Sequence, residues 1–151
     1  MKNTFTSKLQ STLLIGVLAT GVLASASHAV AQGTAMKVTV PFAFQNGAQL
    51  LPAGTYRIDL NTEHLMILHG TVSNAAGIAM TFPEQRSKAS ATGKVVFHRY
   101  GDHYYIREVW IAGSTEGREC VMSHAEKREK QRLVAENSTP SNVEIAMNTG
   151  W

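Results

Sequence analysis

The groups able to do chemistry are few: six histidines, 11 Asp and Glu, one cysteine, and a serine in a glycine-flanked turn. Five of the histidines lie beyond residue 31. His64 and His69 are five apart, which on a strand sends them to opposite faces. His98 and His103 flank a tight turn and can share a face, but no carboxylate or thiol joins them there. Two imidazoles alone leave a zinc-type site incomplete. The spacing predicts surface or stacking histidines and no metal site.

The segment Gly113-Ser114-Thr115-Glu116-Gly117 looks superficially like a nucleophile elbow. Its serine is one position out of G-x-S-x-G, and no strand–turn–helix of an α/β sheet frames it. Glu108, Glu116 and Glu119 could pair for general acid–base work, but two of them fall in or beside that turn, where acids are solvated. Cys120 has no partner cysteine in the chain. It is read as a buried small apolar residue, with an exposed thiol as the alternative. A catalytic thiol needs an adjacent base, and His124 is only a neighbour in sequence. Glycines are scattered among turns, with no phosphate-binding loop. No catalytic, cofactor-binding or metal-binding residue is assigned, and the chain is read as a non-enzyme.

The aromatics Tyr56, Tyr100, Tyr104, Tyr105 and Trp110 could line a carbohydrate or lipid cavity. Strand aromatics more often pack in cores and across strands. A binding surface, if the sheet exposes one, is expected at Tyr100, His103, Tyr105 and Trp110, around one hairpin.

These residues sit in a chain patterned for strands. Met36–Phe44 places Val38, Val40, Phe42 and Phe44 on one face, and Pro41 marks an edge or a kink. Asn46-Gly47 signals a type I′ hairpin turn, and Leu51-Pro52-Ala53-Gly54 a second tight turn. Thr55–Leu60 alternates Tyr56, Ile58 and Leu60 against Arg57 and Asp59. Leu65–Leu68 reads as a buried strand, although periodicity alone leaves a helical turn open. Ala75–Phe82 is a weaker strand ending before Pro83, and Glu84–Gly93 an exposed loop with Arg86 and Lys88 solvated. Lys94–Ile111 is the clearest hairpin. A turn at Gly101-Asp102 sets His98 opposite Tyr105 and Phe97 opposite Ile106. Ser123 and Glu126 form a capping box opening a helix from about His124 to Glu136, with Glu126 and Lys130 paired on its surface. Val143, Ile145 and Met147 alternate as a last strand within an otherwise tail-like 137–151.

The N-terminus carries a different pattern. Lys2 and Lys8 precede an apolar stretch from Leu13 to Ala24, followed by Ser25-Ala-Ser-His-Ala-Val-Ala31. That order is the anatomy of a secretory signal, cleaved after Ala31 or, alternatively, Ala29. The apolar stretch is short of the ~20 residues that span a bilayer. The expected domains are a signal peptide at 1–31, a β-rich domain at 32–136 and a flexible tail at 137–151. The chain's 151 residues then leave 120 after cleavage, enough for one core. The formal charge of +3 shrinks as well: without Lys2 and Lys8, 12 Lys and Arg face 11 acids. Nucleic acid is excluded as a default partner, because it calls for a clustered basic face.

The strings Val40-Pro-Phe-Ala-Phe44, Leu51-Pro-Ala-Gly-Thr-Tyr56, Phe97-His-Arg-Tyr-Gly-Asp-His-Tyr-Tyr105, Val109-Trp110 and Gly117-Arg-Glu119 occur together. In this set the chain resembles a group of small exported, uncharacterised bacterial proteins of the acidobacterial type. The likeness covers most of residues 38–130. It implies an all-β domain with a charged C-terminal helix, and it implies no activity. Cys120 stands where that group more usually has Leu.

The expected fold is all-β: an antiparallel β-sandwich or small barrel of about seven strands with a short C-terminal helix. The expected role is an exported, non-enzymatic domain, periplasmic or extracellular. It would bind a protein or cell-envelope component and would not span the membrane after signal cleavage. The alternative is a carrier of a small apolar ligand in a barrel cavity, and a hydrolase stands third. A filled core with an exposed apolar patch favours the first reading, and an apolar cavity the second.

Overall fold

The structure, a computed structural model, describes residues 36–62 and 64–148. The expected signal peptide lies outside them. In chain order the elements are β1 (Met36–Val40), β2 (Phe44–Asn46), β3 (Gln49–Leu51), β4 (Gly54–Thr62), β5 (Leu65–Gly70) and β6 (Ala76–Gln85). After them come β7 (Lys94–Tyr100), β8 (His103–Trp110), β9 (Glu116–Cys120), α1 (His124–Ala135) and β10 (Ser141–Asn148). Of the two β architectures expected, the chain adopts the barrel. Strands run in the order β8-β7-β10-β1-β4-β5-β6-β9, and β9 pairs back onto β8, closing an antiparallel ring of eight. Closure removes most of the sheet edge that would otherwise template pairing with other chains, leaving β3 as a short terminal strand.

Alternation explains why these residues close around one core. β1 buries Met36, Val38 and Val40 and exposes the residues between them. Tyr56 and Ile58 of β4, Met66 and Leu68 of β5, Phe97 of β7 and Ile106 and Val109 of β8 fill the interior. Phe44 meets Tyr56 and Phe97 edge-on, with ring centroids 5.4 and 5.2 Å apart. Such pairs contribute ~0.5–1.5 kcal/mol beyond their burial. An eight-stranded barrel is just wide enough for side chains to fill it.

Several sequence expectations are corrected by the register. The chain between Val40 and Phe44 breaks at Pro41, so one expected strand becomes β1 and β2. The β2–β3 turn is Gly47-Ala48, one residue later than expected, because Asn46 pairs with Gln49. Gly47 has φ +63° and Ala48 is not left-handed, so the turn meets the type II′ requirement rather than I′. β6 runs through Pro83 and exchanges partners on the way, pairing with β5 up to Met80 and with β9 from Thr81. Beyond Met80 the side that faced β5 is free, a place where proline costs no ladder bond. Residues 141–148, within the stretch expected as a flexible tail, form β10 between β7 and β1.

The β7–β8 hairpin keeps its expected register, His98 opposite Tyr105 and Phe97 opposite Ile106. A bulge then inserts Arg107, since Val96 faces Glu108. β9 is too short to accompany all of β8. Where it is missing, β2 touches β8 in parallel at Gln45–Tyr105, and the β2–β3 hairpin reaches the first half of β6.

Candidate interaction surface

The four residues expected to form a binding surface do not form an open one. Tyr100 and Tyr105 are buried on the outer wall, against Leu133 and Ala125 of α1. Their rings meet edge-on at 5.5 Å. Trp110 is buried further along β8: its ring lies against Gly117, with the Arg86 guanidinium carbon 3.4 Å from the ring centroid. His103 alone is exposed, beside the Gly101-Asp102 turn.

What holds α1 over the tyrosines is an ion cluster that the sequence reading placed on the surface. Ser123 caps the helix, its Oγ accepting the Glu126 N–H at 3.1 Å, as expected. The Glu126 side chain does not complete the box or reach Lys130. It turns inward, 3% exposed, with Oε1 3.6 Å from Arg107 Nε, 3.4 Å from His98 Nδ1 and 3.3 Å from the Tyr100 hydroxyl that donates to it. Arg107 also donates to Glu119 Oε1 at 2.5 Å and to the Cys120 carbonyl. The bulge is what turns Arg107 to this outer side. Burial, then the Glu126 charge, pushes the Tyr100 hydroxyl up to about 12.

A second polar group surrounds Trp110. Its indole N–H donates to Glu108 Oε2 at 2.6 Å, and the same oxygen accepts from Arg86 at 3.1 Å. Arg86, expected to be merely solvated, therefore anchors a loop to the barrel wall. Glu108 and Glu119, expected as solvated acids, are both ion-paired. Cys120 is 3% exposed, and burial raises its thiol to about 12, far from a reactive thiolate. Ser114 accepts the Glu116 N–H at 2.9 Å, a turn contact within the glycine-flanked segment. Among the described residues no three His, Cys, Asp or Glu side chains group as metal ligands.

The open surface lies around β6, separated from β8 by β9. β6 buries Gly77, Ala79 and Thr81 and turns Ile78, Met80 and Phe82 outward, 63, 61 and 55% exposed. Their neighbours extend the stripe: Ile67 opposite Ile78, Leu65 opposite Met80, and Val121, whose N–H donates to the Met80 carbonyl. The inversion has a steric cause. A Cβ on Gly77 would stand 2.5 Å from Asn46 Nδ2 and 3.0 Å from Leu51 Cδ1. The β2–β3 hairpin crowds this part of the inner wall, so small residues face in and large ones face out. The rim carries both signs, already paired: Arg57 with Asp59, His69 near Asp59, and Glu119 with Arg107.

One end of the barrel also keeps a cleft of about 340 Å³, lined by Leu60, Pro83, Glu84, Gln85, Ile111, Glu116, Gly117 and Arg118. Burial, then the charges of Glu108 and Glu119, raises the Glu84 carboxyl, whose Oε2 has no hydrogen-bond partner. The sequence reading missed both features. Alternation in 77–82 was visible, but its sense was not, and the cleft needs the barrel to be closed. No family model, curated protein or solved structure matches this chain.

Proposed function

We propose that this is an exported, non-catalytic β-barrel module that binds a protein partner of the cell envelope through the outer face of β5 and β6. The observation that carries the reading is the stripe Leu65, Ile78, Met80, Phe82 and Val121. Side chains exposed to this degree make a patch of about 400–500 Å², the upper range for a monomer's largest patch. Covering it would release ~10 kcal/mol of gross apolar transfer energy, against which association and ordering costs must be set. The paired, mixed-sign rim speaks for a protein rather than an anionic lipid surface, which draws a basic rim.

The test places a photo-crosslinking amino acid at Met80 and, as a control, at exposed Asp102. Crosslinking is carried out in the cells that make the protein. A discrete adduct from position 80, absent from 102 and lost when Ile78 and Phe82 are both changed to Lys, supports the reading. No adduct, or the same adduct from both positions, refutes it. The carrier reading is favoured by one observation, the cleft at the barrel end; the interior below it is occupied by core side chains, so a ligand would sit in the cleft and not in a central cavity.

A further inference from the structure

The cleft is walled by Leu60 at the end of β4, Pro83 in β6 and Ile111 just after β8. Arg118 of β9 stands opposite Val109 on one side and Pro83 on the other. Val109 is buried in the core, and Cys120, two residues from Arg118 on the same face of β9, is buried as well. Alternation therefore sends the Arg118 side chain to the inside of the barrel mouth. Among the described residues it makes no ion pair, unlike Arg57, Arg86, Arg99, Arg107 and Arg132. An unpaired guanidinium against three apolar walls asks for a ligand with matching halves.

We propose that the barrel mouth binds a small organic monocarboxylate with an apolar body, its carboxylate on Arg118 and its body against Leu60, Pro83 and Ile111. The inference rests on the carrier reading and not on the β5–β6 stripe. Three observations narrow the ligand. The volume of about 340 Å³ is roughly twice the ~150 Å³ cavity that admits benzene, so a ring or a six-to-eight-carbon chain fits. One guanidinium matches one carboxylate through its forked donors, and among the described residues no second cation lines the cleft to hold a dianion. Of the two acids present, Glu116 is exposed at the lip, and Glu84 stands opposite Gly117, whose Cβ position faces Trp110, so its side chain alternates to the outer wall and not toward Arg118. Neither forms the acidic cage that a metal ion would need.

The experiment titrates the protein with 3-phenylpropionate, followed by amide chemical shifts and calorimetry, with 3-phenylpropan-1-ol and inorganic phosphate as comparisons. Saturable shifts at Leu60, Ile111, Gly117 and Arg118 are expected at millimolar ligand. The alcohol should bind at least about tenfold more weakly, and phosphate should give no saturable shift, because each lacks one half of the match. Arg118→Gln should weaken the acid at least about tenfold and leave the alcohol unchanged, with Arg118→Lys between the two. Ile111→Trp, which fills the cleft without touching the charge, should abolish binding of acid and alcohol alike. Acid and alcohol binding equally, phosphate competing with the acid, or no saturable shift by about 20 mM would each overturn the proposal. None of these outcomes bears on crosslinking at Met80, so failure here is distinct from failure of the partner surface.

Discussion

Gly117→Ala is the smallest change that should disturb the outer wall. A Cβ there would lie 2.5 Å from Cε3 of Trp110 and 2.8 Å from both Cδ2 and Cζ3. The indole has little freedom to retreat, because its N–H is bonded to Glu108 and Arg86 lies over its face. Overpacking of this kind costs ~1–3 kcal/mol. Against it, Gly→Ala lowers the entropy of the unfolded chain, a gain of ~0.4–1 kcal/mol where the backbone conformation suits alanine. The net loss is about 1–2 kcal/mol, or roughly 4–8 °C in Tm for a domain of this size. Urea unfolding followed by far-UV circular dichroism measures the loss, and the near-UV spectrum reports the displaced indole. The decisive control is the same substitution in a Trp110→Val background, where the clash is gone and alanine should be neutral or stabilising. An unchanged midpoint in the wild-type background, or an equal loss in both, would refute the steric reasoning.

Four further outcomes follow from the same geometry. Gly101 has φ +61° and open space around it, so Gly101→Val should lose about 1–2 kcal/mol of stability through backbone strain alone, read from urea melts. Cys120 should resist thiol reagents in the native protein and label at once in denaturant, because it is buried and its thiol is raised to about 12. The fold favours the neutral Tyr100 phenol, so unfolded chains lose that proton first; stability should fall as pH rises from about 10 to about 12, less steeply in Tyr100→Phe. A chain ending at Asn137 lacks β10 and should lose cooperative thermal unfolding, since that strand pairs with both β7 and β1.

The parts of this fold that were legible in the sequence are those fixed by local rules. The Phe97–Ile106 register follows from one turn, and the helix from Ser123 and the composition after it. Legibility fails where a distant element decides. Arg107 is one more alternating residue until a bulge and the underside of a helix give it Glu119 and Glu126 as partners. Glu126 fits a capping box equally well whether it reaches back or turns inward, and only the positions of Arg107, His98 and Tyr100 settle which. Ile78, Met80 and Phe82 alternate with Gly77, Ala79 and Thr81, a pattern that by the usual rule buries the larger set. The rule assumes an inner face with room. Asn46 and Leu51, some thirty residues earlier in the chain, remove that room at Gly77 and reverse the outcome.

The outer wall of a closed barrel must be covered or solvated, and this chain treats two sectors differently. Over β7 and β8 the aromatic pair Tyr100–Tyr105 is roofed by α1, and the roof is tied down by a buried carboxylate facing an arginine. Removing one member of such a pair is costly, because the other is left without its counter-charge. Arg107 keeps Glu119, but its Nε already lacks a hydrogen bond, so Glu126 cannot be lost cheaply. The chain thus commits a helix and a buried ion pair to covering two tyrosines, while among the described residues nothing covers the five apolar side chains Leu65, Ile78, Met80, Phe82 and Val121 around β6. Both polar rims beside them are already internally paired, so they offer no charge that must be satisfied before a partner docks. That asymmetry is the reason for proposing the binding surface on β5 and β6 rather than on the hairpin aromatics to which the sequence points.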